Sequence, residues 1–163
     1  GKECNYDVFV KIPVMNTKGE PNYGLIRLLN EEGVKVNVTA VFTQNQTNNI
    51  LENIVNYETP VIISIFAGRI ADTLRDPVRH VKSCISETMA YTEEFTNVKF
   101  LWASCREQYH LIMAEQAGCH IITMLHDQIG KLNLQGKDLH KFSQETVNMF
   151  YNDAVKSGYR IEL

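Results

Sequence analysis

The chain has 163 residues, 44% hydrophobic and 21% charged, with a formal net charge of -3 and a sequence pI near 6.0. That is the composition of one folded domain with a real core, and it excludes a disordered or fibrous chain. It also gives no overall basic field to hold nucleic acid or an anionic membrane, and no apolar run approaches the roughly 20 residues that span a bilayer.

In chain order, the first apolar stretch is DVFVKIPV at 7–14, a strand reading over Val8 to Val14 with Lys11 in its middle. A lysine there fits an edge strand, where it discourages pairing with another chain, or a long side chain whose head reaches solvent. Helix patterns follow at Tyr23 to Glu32 and Asn45 to Asn56, on either side of a strand reading over Val34 to Phe42. Next come strand Val61 to Phe66, helix Val78 to Thr92, strand Val98 to Ser104, helix Glu107 to Ala117 and strand His120 to Met124. Two further helices are predicted at Asp127 to Leu132 and Ser143 to Ser157.

Local signals support these boundaries. Asp76 is placed to cap a helix that has Pro77 at its first position, where the missing N–H costs nothing. Gly33, Gly118 and Gly158 fall just past helical patterns, where a left-handed residue is wanted. The strand runs are continuous rather than alternating, which predicts a parallel sheet with both faces covered. The expectation is a single α/β domain over residues 1–163, with no linker or internal repeat.

Neither GxGxxG nor a P-loop occurs, so the nucleotide-binding form of an open parallel sheet is disfavoured. A closed eight-stranded barrel needs more than five strands and usually about 250 residues. Cys4, Cys84, Cys105 and Cys119 show no ligand or redox spacing and read as free thiols. His80, His110, His120, His126 and His140 show no paired arrangement and read as surface or packing residues.

Chemistry is expected at the C-terminal ends of parallel strands. There the sequence offers Asn37 with Thr39, Ser64 with Phe66, Arg69 just beyond, and Ser104 with Arg106. Residues two apart in a strand share a face, so Lys11, Asn37, Thr39, Ser64, Arg69, Ser104 and Arg106 can converge on one pocket. A lysine buried beside two guanidinium groups would lose its proton more easily and become a nucleophile for ketones. The arginines would grip a phosphate, and the small polar side chains would orient sugar hydroxyls. The residues point to a Schiff-base enzyme acting on a phosphorylated sugar. Each also has a structural reading: buried polar groups satisfied by the backbone, and arginines paired with Asp72 and Glu107 on a solvated rim.

The stretches VFVKIPV, GVKVNVTAVFT, SIFAGRI and WASCRE resemble, in order and spacing, strands four to seven of the transaldolase and fructose-6-phosphate aldolase family of TIM barrels. AGCHIIT is similar to the eighth strand, and the likeness runs on through the C-terminal segment. The resemblance implies an incomplete (β/α) barrel of five strands out of eight. It also implies that Lys11 forms the Schiff base, Thr39 helps hold the catalytic water, and Asn37 and Ser64 contact the dihydroxyacetone unit. Arg69 and Arg106 would bind phosphate, and Phe66 and Ser104 are expected among the substrate-binding residues. Phe66 stands where transaldolases carry Phe and the aldolases Tyr, which favours transfer of the three-carbon unit in carbohydrate metabolism of the pentose phosphate type over simple cleavage.

Ile65 and Ala67 replace the usual proline and valine, changes read as packing adjustments. The pattern's first-strand aspartate, second-strand asparagine and third-strand glutamate or glutamine have no counterpart in these residues. The expectation is therefore a barrel completed by another copy of the chain, by an N-terminal fragment or by further sequence of a longer protein. No metal or organic cofactor, no nucleic acid and no membrane partner is implied, and a cytoplasmic location is expected from the absence of a signal-peptide pattern.

Overall fold

The computed structural model describes residues 8–86 and 95–158. The element order is strictly alternating at first: β1 (Val10–Pro13), α1 (Tyr23–Glu31), β2 (Val36–Val41), α2 (Gln44–Leu51) and β3 (Val61–Ile65). Two helices follow, α3 (Ala67–Ala71) and α4 (Pro77–Ser86), then β4 (Val98–Trp102), α5 (His110–Ala117) and β5 (Ile121–Ile122). The last described elements are α6 (His126–Gly130), a 3-10 turn (Lys131–Leu134) and α7 (Leu139–Ser157). The part of the expected fourth helix beyond Ser86 lies outside the described residues.

Helix ends follow the predicted chemistry. Asp76 Oδ1 accepts from the backbone N–H groups of Val78 and Arg79 at 2.9 and 3.2 Å, opening α4 at Pro77. Gly118 closes α5 and Gly158 closes α7, each with the left-handed φ that a side chain disfavours. At the start of α2, Thr43 and Gln46 cap each other: the Thr43 hydroxyl accepts from the Gln46 N–H, and the Gln46 side chain accepts from the N–H groups of Phe42 and Thr43.

Among the described residues, the five strands are parallel and pair in sequence order, β1-β2-β3-β4-β5. A doubly wound sheet reverses its strand order and carries helices on both faces. Here the order never reverses, and α1, α2, α4 and α5 touch one another in succession as a single layer. The sheet is thus an arc of a (β/α) barrel wall. The registers Ile12↔Val38↔Ile63↔Phe100 and Ile65↔Trp102 align the apolar residues that meet this helical layer, and all of them are buried. Burying these β-branched and aromatic side chains supplies the main folding force, at about 1.5–3 kcal/mol for each large side chain.

The other face corrects the expectation of a sheet covered on both sides. Lys11 and Lys99 are exposed on it, and Asn37, Thr39 and Ile62 are half-buried. Burial alternates over Val36–Thr39 because, among the described residues, the helical layer packs on the other face; Ser64 and Leu101 are nonetheless buried on this one. Among the described strands β1 is one edge, and its first residue, Val10, is 44% exposed.

Candidate active site

Pairing register decides which polar side chains meet. Lys11 lies opposite Asn37 and Pro13 opposite Thr39, so these four share the uncovered face. Ser64 is on the same face of β3, and its hydroxyl donates to Asn37 Oδ1 at 2.7 Å. Ser64 is buried, and Leu101 lies opposite it on β4 as an apolar wall. Lys11 and Asn37 are thus direct neighbours across two strands, and Ser64, two residues beyond the Asn37 partner Ile62 on β3, joins them diagonally.

Thr39 ends its strand's regular part. Between Val38 and Val41, β2 takes three steps against two on β3, with Ala40 in a left-handed conformation (φ 59°). This bulge returns Val41 to the buried face and turns Phe42 toward Phe66, ring centroids 5.6 Å apart. The Thr39 hydroxyl is buried and has no hydrogen-bond partner among the described residues. A buried hydroxyl without a partner is a place for a water or a ligand atom.

The arginines sit past the strands rather than in them. Arg69 is on α3, exposed, with its guanidinium carbon 5.7 Å from the centre of the Phe66 ring. Ser104 and Arg106 follow β4, which ends at Trp102, so strand alternation does not govern their directions. What brings this loop to α3 is backbone contact. Gly68 N–H donates to Ala103 O at 3.3 Å, and a Cβ on Gly68 would stand 1.6 Å from Ser104 O. Ser104 itself adopts φ 66°. Arg106 then reaches Asp72, Nε to Oδ1 at 3.3 Å and Nη2 to Oδ2 at 2.5 Å, and this partner holds the guanidinium proton more firmly. Asp72 is one of the two acids that the sequence offers as rim partners for these arginines.

Lys11 is the correction. The residues predicted a lysine in a dry, cationic surrounding, but Lys11 is exposed, and its place in the β1 ladder fixes its backbone while its ammonium stands on the open side of the sheet. The reason is its place on β1, which has no described strand on its outer side. The edge-strand reading of Lys11 fits this geometry.

Sequence reasoning did not single out the supports. His110 is 4% exposed and its Nδ1 accepts from the Trp102 indole N–H at 3.1 Å, fixing the start of α5 against β4. Burial, the largest cause, pushes the His110 pKa below its ordinary value. Gln128, also buried, donates to Cys105 O at 3.1 Å and so ties α6 to the arginine loop. Burial raises the Cys105 thiol to about 11, and Cys119 is pushed up to about 12, so neither is poised as a thiolate. A neutral Trp–His pair and a buried Gln carry no motif that one sequence can display.

The sequence pattern of the transaldolase/fructose-6-phosphate aldolase family matches residues 2–161. This chain belongs to that family. A protein named probable transaldolase from a Thermoanaerobacter species is 25% identical over 155 residues, covering 95% of this chain and 64% of its own length. Probable transaldolases of Methanococcus maripaludis and Kosmotoga olearia are each 30% identical, covering 77% and 90% of this chain and 53% and 59% of their own lengths. The chain thus spans about half to two thirds of these relatives. The family is one of TIM barrels, in accord with the sequence-ordered parallel arc. Among the described residues, no helix is long and apolar enough to cross a membrane.

Proposed function

We propose that the protein transfers a three-carbon dihydroxyacetone unit between sugar phosphates, in carbohydrate metabolism of the pentose phosphate type, through a Schiff base on Lys11. The observation that carries this reading is the grouping of Lys11, Asn37 and Ser64 across β1, β2 and β3, with an unpartnered Thr39 hydroxyl next to it.

In this mechanism Lys11 Nζ adds to the ketose carbonyl carbon, and loss of water gives an iminium. As the adjacent carbon–carbon bond breaks, its electron pair moves into the iminium and the departing hydroxyl proton passes to a base. The enamine left on Lys11 then attacks the carbonyl of an aldose phosphate, and water, held by Thr39, hydrolyses the new iminium. Asn37 and Ser64 orient the hydroxyls of the three-carbon unit, and Phe66 forms a wall. Arg69 and Arg106, with Ser104 holding their loop, bind the phosphate.

The lysine must enter this chemistry unprotonated, which burial favours and exposure does not. We propose that further strands pack on the open edge of β1, supplied by the same protein or by another chain, and that they bring the acid–base carboxylate. The apolar side chains that α7 turns to solvent, among them Leu139, Phe142, Val147 and Phe150, support association with another copy as well. Borohydride reduction in the presence of fructose 6-phosphate tests the reading. A sugar-sized mass on Lys11, absent in Lys11→Arg, supports it; an unmodified lysine at saturating substrate rejects it.

The exposure of Lys11 favours a second reading, a phosphosugar-binding protein without turnover. Phosphate protection against heat with no reducible adduct would select it. Cleavage without an acceptor would instead select an aldolase-type lyase.

A further inference from the structure

Arg106 hangs on a loop, four rotatable side-chain bonds from its backbone, and a free arginine there would sample many directions. Its fork is instead closed on Asp72, which caps the end of α3 three residues after Arg69. Nε and Nη2 face Asp72, so three of the five N–H donors remain for another acceptor. The Asp72 backbone is itself anchored, its N–H donating to Gly68 O at 3.1 Å, and Gly68 is the residue that touches Ser104.

We propose that Asp72 is a positioning residue: it holds Arg106 beside Arg69 so that both guanidinium groups converge on one phosphate group. The inference rests on the phosphosugar reading above and goes beyond it by assigning a role to a residue of the wrong charge to touch the ligand. Two effects oppose each other. A carboxylate near an anion site repels the anion, but both side chains are about half exposed (49% and 51%), and in water with salt that repulsion is worth roughly twofold in affinity. Immobilising an otherwise free arginine on binding costs on the order of tenfold. Positioning wins, so removing the acid should weaken phosphate binding, the reverse of what charge alone predicts.

The experiment is calorimetric titration of inorganic phosphate into the whole chain at fixed ionic strength. Asp72→Ala is expected to weaken binding roughly fivefold, with partial recovery in Asp72→Glu. On an Arg106→Ala background the same substitution should cause no weakening, because Asp72 acts through that arginine. Tighter or unchanged binding in Asp72→Ala overturns the inference, as does equal weakening on both backgrounds, which would mark a merely structural role. Urea unfolding checks that the variants fold, and the isosteric Asp72→Asn carries the comparison if Ala does not. If the unmodified chain binds no phosphate at all, the phosphosugar reading falls and takes this inference with it. If it binds phosphate and Asp72 is indifferent, only this inference falls.

Discussion

Ser64 and Asn37 are joined across β2 and β3 by a hydroxyl donating to an amide oxygen at 2.7 Å. The bond is dry at its Ser64 end, where the residue is 2% exposed, and half-open to water at Asn37. Ser64→Ala should cost about 0.5–1.5 kcal/mol of stability, the net contribution of one lost hydrogen bond. The readout is a lower urea midpoint with an unchanged slope. If Asn37 orients substrate hydroxyls, the same variant raises KM for the sugar phosphate.

Gly68 should tolerate no side chain. A Cβ there would stand 1.6 Å from Ser104 O and 2.7 Å from its carbonyl carbon, both backbone atoms that cannot swing aside. Gly68→Ala should lose at least about 2 kcal/mol in chemical denaturation and move the arginine loop. A change under about 0.5 kcal/mol would show that the loop yields freely.

Stability should fall on mild acidification. His110 and His120 both have pKa values lowered from the ordinary 6.5, in each case first by burial, with Lys99 adding to the shift at His120. The folded state therefore binds fewer protons than the unfolded one between the lowered values and 6.5. Their contribution is complete above about pH 6.5 and is lost as pH falls below it. Unfolding free energy measured from about pH 7.5 to about pH 5 should decline, and His110→Gln should flatten part of that slope. A slope that His110→Gln leaves untouched would remove this residue from the account.

Leu74 is the opposite case to Gly68. It holds φ 61° and is 97% exposed, so it strains the backbone while packing against almost nothing. A left-handed non-glycine residue costs about 1–2 kcal/mol, and the extra freedom of glycine in the unfolded chain returns about 0.5–1. Leu74→Gly should gain roughly 0.5 kcal/mol, a rise of about 1–2 °C in Tm. A lower Tm would show that the exposed leucine side chain contributes more than the strain.

Strands were legible where a local apolar run decides them. Val36–Val41, Val61–Ile65 and Val98–Trp102 all lie inside the predicted stretches, because β-branched residues in short runs have few other uses. The helix α3 was not legible: Ala67–Ala71 is five residues long and shows no full period. α7 begins four residues before its predicted start, because Asp138, which accepts from the Lys141 N–H, is the operative cap. The Asn37–Ser64 neighbourhood could be foreseen from strand periodicity. The exposure of Lys11 could not, since it depends on what stands beyond β1 rather than on β1 itself. Gly68 and His110 escaped for a similar reason: their partners, Ser104 and Trp102, are fixed only once the loops have closed.

The strand order has a kinetic consequence. Since each strand pairs with the one before it in the chain, every β-α-β unit can settle onto its predecessor as soon as it exists, without waiting for a distant segment. Growth of the wall can then proceed one rung at a time, each new β-α unit meeting an edge already in place.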